Sequence, residues 1–394
     1  VGISAAWDLA AQSPRGAVAT AELMERFAKA EVEAVWREAG VPGRPEYGVA
    51  LYRIVYHTVD AHGSATEASG VLAVPEGHGR RVPLLSYHHG TTVARDRVAS
   101  ARGFDFIGMS LAATGYAAAL PDYLGLGVSE GLHPYVHAAS LSTTIVDFLR
   151  AVRQFCAGAS ILLDDRLFLM GYSEGGYATM AAHRAIESEY ADEFDVTASA
   201  PMAGPYSLSE AMFERMIDDR PYPTTVYLPF TLLAYDTVYD WFADPRDVFV
   251  APYDTLLAGL FDGRIDWREI GAQLPDVPRR MLQPAFVEAL IRDRDHPLRR
   301  LLVDNDLTEW SPRAPMNLFH CLDDEQVPHR NAELAVEAFR RLGATHVELT
   351  SLTFGGHEDC APAALYLGKR WFDSFAAEDG VWQADRLERD ASPR

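Results

Sequence analysis

Ser173 stands in the run GYSEGG, between Gly171 and Gly175, where an apolar stretch (LFLMGY) gives way to a segment with helical spacing. A serine hydroxyl is a poor nucleophile until a base takes its proton. A strand, a G-x-S-x-G turn and a helix can present such a serine. The small neighbours leave room for a strained turn, and the helix N-terminus puts partial positive charge beside a developing oxyanion. The pattern alone is weak because glycine and serine are common. An ordinary tight turn that holds a serine is the competing reading, so a base and an orienting carboxylate must be found further along the chain.

In a parallel sheet those partners sit on loops at the carboxyl ends of strands. The apolar run NLFHCL ends at Asp323-Asp324, and VELTSLTFGG ends at His357. His346 stands at the opposite end of its run and His320 inside one, which makes both poor bases. The order Ser173, Asp324, His357 is the one a nucleophile elbow of this kind requires. A second oxyanion donor is needed from the loop after an earlier strand. In SYHHGTT, His89-Gly90 lets the chain turn so that the N–H of Thr91 would pair with that of Glu174; an ordinary glycine turn is the alternative.

The elements that must position these residues are legible as alternating patterns. Thr20 reads as the cap of a helix with apolar residues at Leu23, Met24 and Phe27, continuing to Val35 and stopped by Gly40 and Pro42. Two alternating runs around Asp60, His62 and Gly63 read as an antiparallel hairpin. VPLLSYHHG and YAAALPDYLGLG read as short buried strands, and Ile145, Phe148, Leu149, Val152 and Cys156 form a helical stripe. VTASAPMAG, PMNLFHCL and HVELTSLTFGG continue the strands, with the helix HRNAELAVEAFRRLG between the last two. Strands alternating with helices imply an α/β fold with a mostly parallel sheet covered on both faces. From Ser207 to Ser311 strands vanish and amphipathic helical segments take over. The expected organisation is a helical segment over 1–45, a core of 46–206 and 312–377, a helical cap or lid inserted at 207–311, and a polar tail at 378–394.

Composition narrows the function classes. The 394 residues are 48% hydrophobic, enough for a large core, and 56 acidic against 35 basic residues give a formal charge of −21. Nucleic acid needs a basic surface to neutralise phosphates, and none is visible; an anionic membrane surface is disfavoured for the same reason. No stretch reaches the roughly 18 apolar residues of a spanning helix. No basic region followed by an apolar run opens the chain, so no signal peptide is read in it. Cys156, Cys321 and Cys360 are too few for a disulfide framework and are not spaced for zinc.

Together HHGT, PDYLGLGVSEGLHPY, GYSEGG, NDLTEWSP, CLDDEQVP and GGHEDCAPA resemble α/β-hydrolases of the secretory lipase (lipase A-like) group and its bacterial esterase relatives. The resemblance spans roughly residues 50 to 375. It implies an α/β-hydrolase fold and carboxylic ester hydrolysis through an acyl-enzyme, without a cofactor. By the same resemblance Ser173 is the nucleophile, the aspartate of D-x-x-V-P is the acid, which selects Asp324 over Asp323, and His357 is the base. Glu174 departs from the group, where an uncharged residue more often follows the nucleophile. If the triad holds, the loops that carry Cys321, three residues before Asp324, and Cys360, three after His357, must converge. A Cys321–Cys360 disulfide would then brace acid and base and would fit a secreted or periplasmic setting, the cytoplasm staying open; two reduced, buried cysteines are the alternative.

Other features weigh less. His133 and His137 in HPYVH have the spacing of helical metal ligands, but Pro134 and the lack of nearby carboxylates or cysteines favour a loop near the site mouth and no metal. DYLGLG lacks the full dinucleotide fingerprint. The aromatic cluster from Tyr222 to Phe242 reads equally as an acyl or aryl pocket and as a packed core. The expected partner is a small-molecule ester, and the oligomeric state is not readable. A serine aminopeptidase or acyltransferase on the same fold, or a silent binding protein, are the rival readings.

Overall fold

A computed structural model describes residues 14–79 and 81–376. Its nine strands are β1 (Val18–Phe27), β2 (Gly48–Val59), β3 (Ala65–Glu76), β4 (Val82–His88), β5 (Ala117–Pro121), β6 (Leu163–Tyr172), β7 (Ala198–Met202), β8 (Met316–Cys321) and β9 (Val347–Leu352). They form one sheet in the order β1-β2-β3-β5-β4-β6-β7-β8-β9. β1, β2 and β3 run antiparallel to their neighbours, including the pairing of β3 with β5. From β5 through β9 every pairing is parallel.

The parallel strands are buried on both faces, so they read as continuous apolar runs. In β6, Leu167 and Leu169 join the core on one face while Phe168 and Met170 join the core on the other. The helices Ala138–Gly158, Glu174–Glu189 and Arg330–Arg341 cover the first face, and Lys29–Glu38, Phe106–Ala113 and His357–Ala376 the second. Contact between helix and sheet is close where the sequence permits it. At Gly70 a Cβ would lie 2.5 Å from the Phe148 ring and 2.7 Å from the Leu120 carbonyl oxygen.

Between β7 and β8 the chain forms the helices Phe213–Ile217, Tyr227–Tyr239, Pro245–Val248, Tyr253–Leu260, Trp267–Gly271, Pro284–Arg292 and Pro297–Asp304, with two shorter turns. One isolated antiparallel bridge, Phe249 to Leu282, is the sole strand-like pairing described there.

The helix expected from Thr20 is a correction. Residues 18–27 form β1, and helix begins only at Lys29. Leu23, Met24 and Phe27 satisfy a helical spacing, but β1 pairs along β2, with Leu23 opposite Tyr52 and Phe27 opposite Val49. The outer edge of a long hairpin offers backbone partners to every second residue, and that tertiary pairing overrides a short periodicity. The helix Lys29–Glu38 then buries Val32 and Trp36, with the Trp36 indole donating to Ser110 Oγ at 3.0 Å. The tail expected at 378–394 and the first 13 residues of the N-terminal segment lie outside the described residues.

Candidate active site

β6 delivers the chain to Ser173, which turns it directly into the helix Glu174–Glu189. Ser173 has φ 61° and ψ −125°, a conformation that a side chain adopts only under strain. The turn closes against β4. A Cβ on Gly171 would meet the Gly175 carbonyl and lie 2.6 Å from the His88 carbonyl oxygen; one on Gly175 would strike the His88 carbonyl. Gly176 meets the Met202 carbonyl at the end of β7 in the same way. The three glycines are therefore places where backbone touches backbone.

Below the turn lies His88, fully buried, bonded to Ser86 Oγ at 2.9 Å and to Thr179 Oγ1 at 2.7 Å. Burial, aided by His89, pushes its imidazole down to about 3, so it stays neutral.

The structure brings Ser173, His357 and Asp324 together. Ser173 Oγ is 2.8 Å from His357 Nε2, and His357 Nδ1 is 2.6 Å from Asp324 Oδ2. A carboxylate only accepts, so Nδ1 carries the proton and Nε2 is left to accept from the serine hydroxyl. Asp324 Oδ1 accepts the N–H groups of Gln326 (3.0 Å) and Val327 (2.7 Å). His320 Nε2 lies 3.2 Å from Oδ2 and 2.8 Å from the Val327 carbonyl oxygen. Burial would raise the Asp324 carboxyl, but the hydrogen bonds from His320 and His357 outweigh it and hold the group at about 2. Asp323 is exposed.

His357 opens the helix His357–Ala376, with its N–H on Glu325 Oε2 at 3.0 Å and its carbonyl accepting from the Tyr172 hydroxyl at 2.5 Å. The end of β8 before Asp324 and the helix that starts at His357 are joined covalently by a Cys321–Cys360 disulfide, and Cys156 is a buried free thiol.

The loop after β4 packs on the turn. A Cβ on Gly90 would lie 3.4 Å from the Tyr172 carbonyl oxygen and 3.6 Å from Ser173 Cβ. Among the described residues no carbonyl takes the N–H of Glu174 or that of Thr91. The Thr91 side chain is engaged, its hydroxyl 3.1 Å from the Tyr135 hydroxyl. Glu174 is buried, with Oε1 2.6 Å from His133 Nε2.

Two cavities meet at Ser173. One, about 750 Å³ of atom-free space partly open to solvent, runs into the inserted helices along Leu208, Met212, Met216, Leu228, Phe286 and Leu302 and is almost wholly apolar. The other, about 1380 Å³ and wider, has a mixed lining that includes His89, Thr91, Trp267, Arg268, His357 and Glu358. Both touch Tyr227. The aromatic cluster of the insertion thus divides: Tyr227, Leu228, Thr231 and Leu232 line the apolar cavity, while Phe230 and Tyr235 are buried in the core.

Residues 103–236 match the family model of secretory lipases. Among solved structures, the chain is similar to the rice cell wall degrading esterase LipA of Xanthomonas oryzae, at 28% identity over 91% of this chain and 96% of that one, with a TM-score of 0.82. A Legionella pneumophila protein shares 28% identity over 92% of this chain and 99% of its own, with a TM-score of 0.86. No curated protein matches the chain by sequence. The chain is a lipase- and esterase-type α/β-hydrolase. Lipase A of Candida antarctica shares the fold at 15% identity, with 95% of this hydrolase and 89% of that lipase covered and a TM-score of 0.70.

Sequence reasoning missed two histidines of this hydrolase that bear on the site. His133 was read as loop structure, and it contacts a residue 41 positions away, which no spacing reveals. His320 was set aside as a base because it lies inside β8; its position four residues before Asp324 was the signal that it reaches the same carboxylate. His133 and His137 take separate partners, Glu174 and Ser140.

The bridge closes a loop between cysteines 39 residues apart, a constraint worth about 4 kcal/mol in the chain-entropy account. The Cys321→Ser/Cys360→Ser variant should therefore melt several degrees below the wild type and lose activity with it; an unchanged melting midpoint would mean that the bridge braces nothing. Asp324 gives a pH signature. Its folded value lies below the ordinary one, so the stability it contributes is present above about pH 4 and fades as pH falls toward 2. Denaturant unfolding should show Asp324→Asn weaker than the wild type by on the order of 2 kcal/mol at pH 6, with the gap closing between pH 4 and 2.

Proposed function

We propose that this hydrolase cleaves carboxylic esters through Ser173, His357 and Asp324, with an acyl-enzyme intermediate. The observation that carries the reading is the chain of contacts Ser173–His357–Asp324, at 2.8 and 2.6 Å, at the junction of the two cavities. Ser173 Oγ attacks the ester carbonyl as His357 Nε2 takes its proton, and ionised Asp324 holds the imidazole in the Nδ1–H tautomer and offsets its charge. The N–H groups of Glu174 and Thr91, which no carbonyl takes among the described residues, face the tetrahedral oxyanion; losing one such donor typically costs about 3–4 kcal/mol. His357 then gives its proton to the leaving alcohol, the carbon–oxygen bond breaks, and an acyl-serine remains. Water repeats the sequence and releases the acid.

The helical block 207–311 acts as a cap in this proposal. Its apolar cavity receives the acyl group, and the wider mixed cavity receives the alcohol, because each accepts the part that it desolvates at least cost. The disulfide fits a secreted or periplasmic enzyme, since an oxidising compartment maintains such bridges.

A fluorophosphonate probe should label the wild type and leave Ser173→Ala unlabelled, with kcat for ester cleavage down by at least ~10⁴-fold. Absence of labelling in the folded wild type would favour a silent binding protein. On p-nitrophenyl esters of graded acyl length and on aminoacyl anilides, ester turnover should dominate. Anilides turned over faster than every ester would make the enzyme a peptidase instead.

A further inference from the structure

Glu174 poses an electrostatic problem beside the nucleophile. It is the residue whose N–H faces the oxyanion in the proposed reaction, yet it carries a carboxylate with no solvent exposure. A fixed negative charge there opposes the charge that develops on the substrate oxygen. Among the described residues its Oε2 has no hydrogen-bond partner, so the neutralisation of the group rests on the Oε1 contact with His133.

We propose that His133 is a positioning residue for the oxyanion site: its imidazole cancels the charge of Glu174 and fixes that side chain away from the reacting carbonyl. His133 Nδ1 lies 2.8 Å from the Leu124 carbonyl oxygen, which can only accept, so Nδ1 carries a proton. The 2.6 Å contact between Nε2 and Oε1 then holds one further proton, and whichever atom owns it, the pair is neutral as a whole. The hydroxyls of Tyr123, Tyr135, Tyr177 and Tyr227 also feel Glu174; burial above all drives each upward, so they add no charge.

The stretch DYLGLGVSEGLHPY is built to hold this ring. Gly125 (φ 74°) lets the backbone of His133 approach so closely that a Cβ there would lie 2.6 Å from His133 Cα. Tyr123, itself at φ 70°, stacks between His89 at 4.2 Å and His133 at 5.6 Å. Its hydroxyl donates to the His89 carbonyl at 3.1 Å. From the inserted block, the Phe230 ring closes the pocket 6.1 Å from the imidazole.

This inference rests on Ser173 being the nucleophile and Glu174 N–H an oxyanion donor. Glutamine at 133 can still donate a hydrogen bond to Glu174 but supplies no charge, so H133Q isolates the electrostatic role. On a p-nitrophenyl ester, H133Q should lose ~100-fold in kcat, the scale of one oxyanion interaction, with KM within about threefold of wild type. The double variant H133Q/E174Q, in which both groups are neutral amides, should recover at least ~10-fold of that loss. A wild-type kcat for H133Q, or a double variant as slow as H133Q, would overturn the proposal. Should H133Q fail to fold, the double variant decides: folded and within about tenfold of wild type supports the inference, and unfolded or inactive protein refutes it. Failure of the triad reading looks different, because the wild type itself would then resist the fluorophosphonate.

Discussion

The closest constraint in this molecule is the contact of the turn at Ser173 with the end of β4. The His88 carbonyl occupies the space that a side chain at Gly171 or Gly175 would need, and the Met202 carbonyl does the same at Gly176. Three strand ends, β4, β6 and β7, are thereby pinned within contact distance of one helix N-terminus. The loop after β4 packs on this turn, and among the described residues no carbonyl takes the N–H groups of Thr91 and Glu174. Neutral His88 underlies the same point and holds Thr179 on the helix, so its imidazole puts no charge there.

The other half of the site is held by a different device. Asp324 collects donors on both oxygens, two from its own loop and one from His357, with the His320 imidazole of β8 3.2 Å from Oδ2. Three hydrogen bonds and the nearby His320 imidazole hold the carboxylate in place, and the disulfide ties its strand end to the helix that starts at His357. The carboxyl ends of β8 and β9 can therefore present Asp324 and His357 at fixed separation although the two are 33 positions apart in the chain.

How far this was legible in the sequence depends on whether the determinant was local. The strand–Ser173–helix turn, the strand-end positions of Asp324 and His357, and the hairpin around Gly63 are local patterns, and each appears where the chain pattern put it. The family resemblance settled which of two adjacent aspartates to prefer, and burial agrees: Asp324 is inside and Asp323 outside. β1 was misread because Leu23, Met24 and Phe27 fit a helical period, and only the pairing with β2 makes the segment a strand. The pairing of Glu174 with His133 was invisible because it joins the start of a helix to a loop 41 positions away through space. The aromatic cluster stayed ambiguous for a related reason: one helix, Tyr227–Tyr239, turns part of itself to a cavity and part to the core.

The unequal character of the two cavities bears on how a catalytic cycle would end. On the proposed reading the alcohol departs through the wide, mixed cavity, and that vacated space is also the route by which water reaches the acyl-serine. The acid formed last sits in the almost wholly apolar cavity, which offers its carboxylate little solvation. That contrast places any competition between water and another alcohol for the acyl group in the wide, mixed cavity.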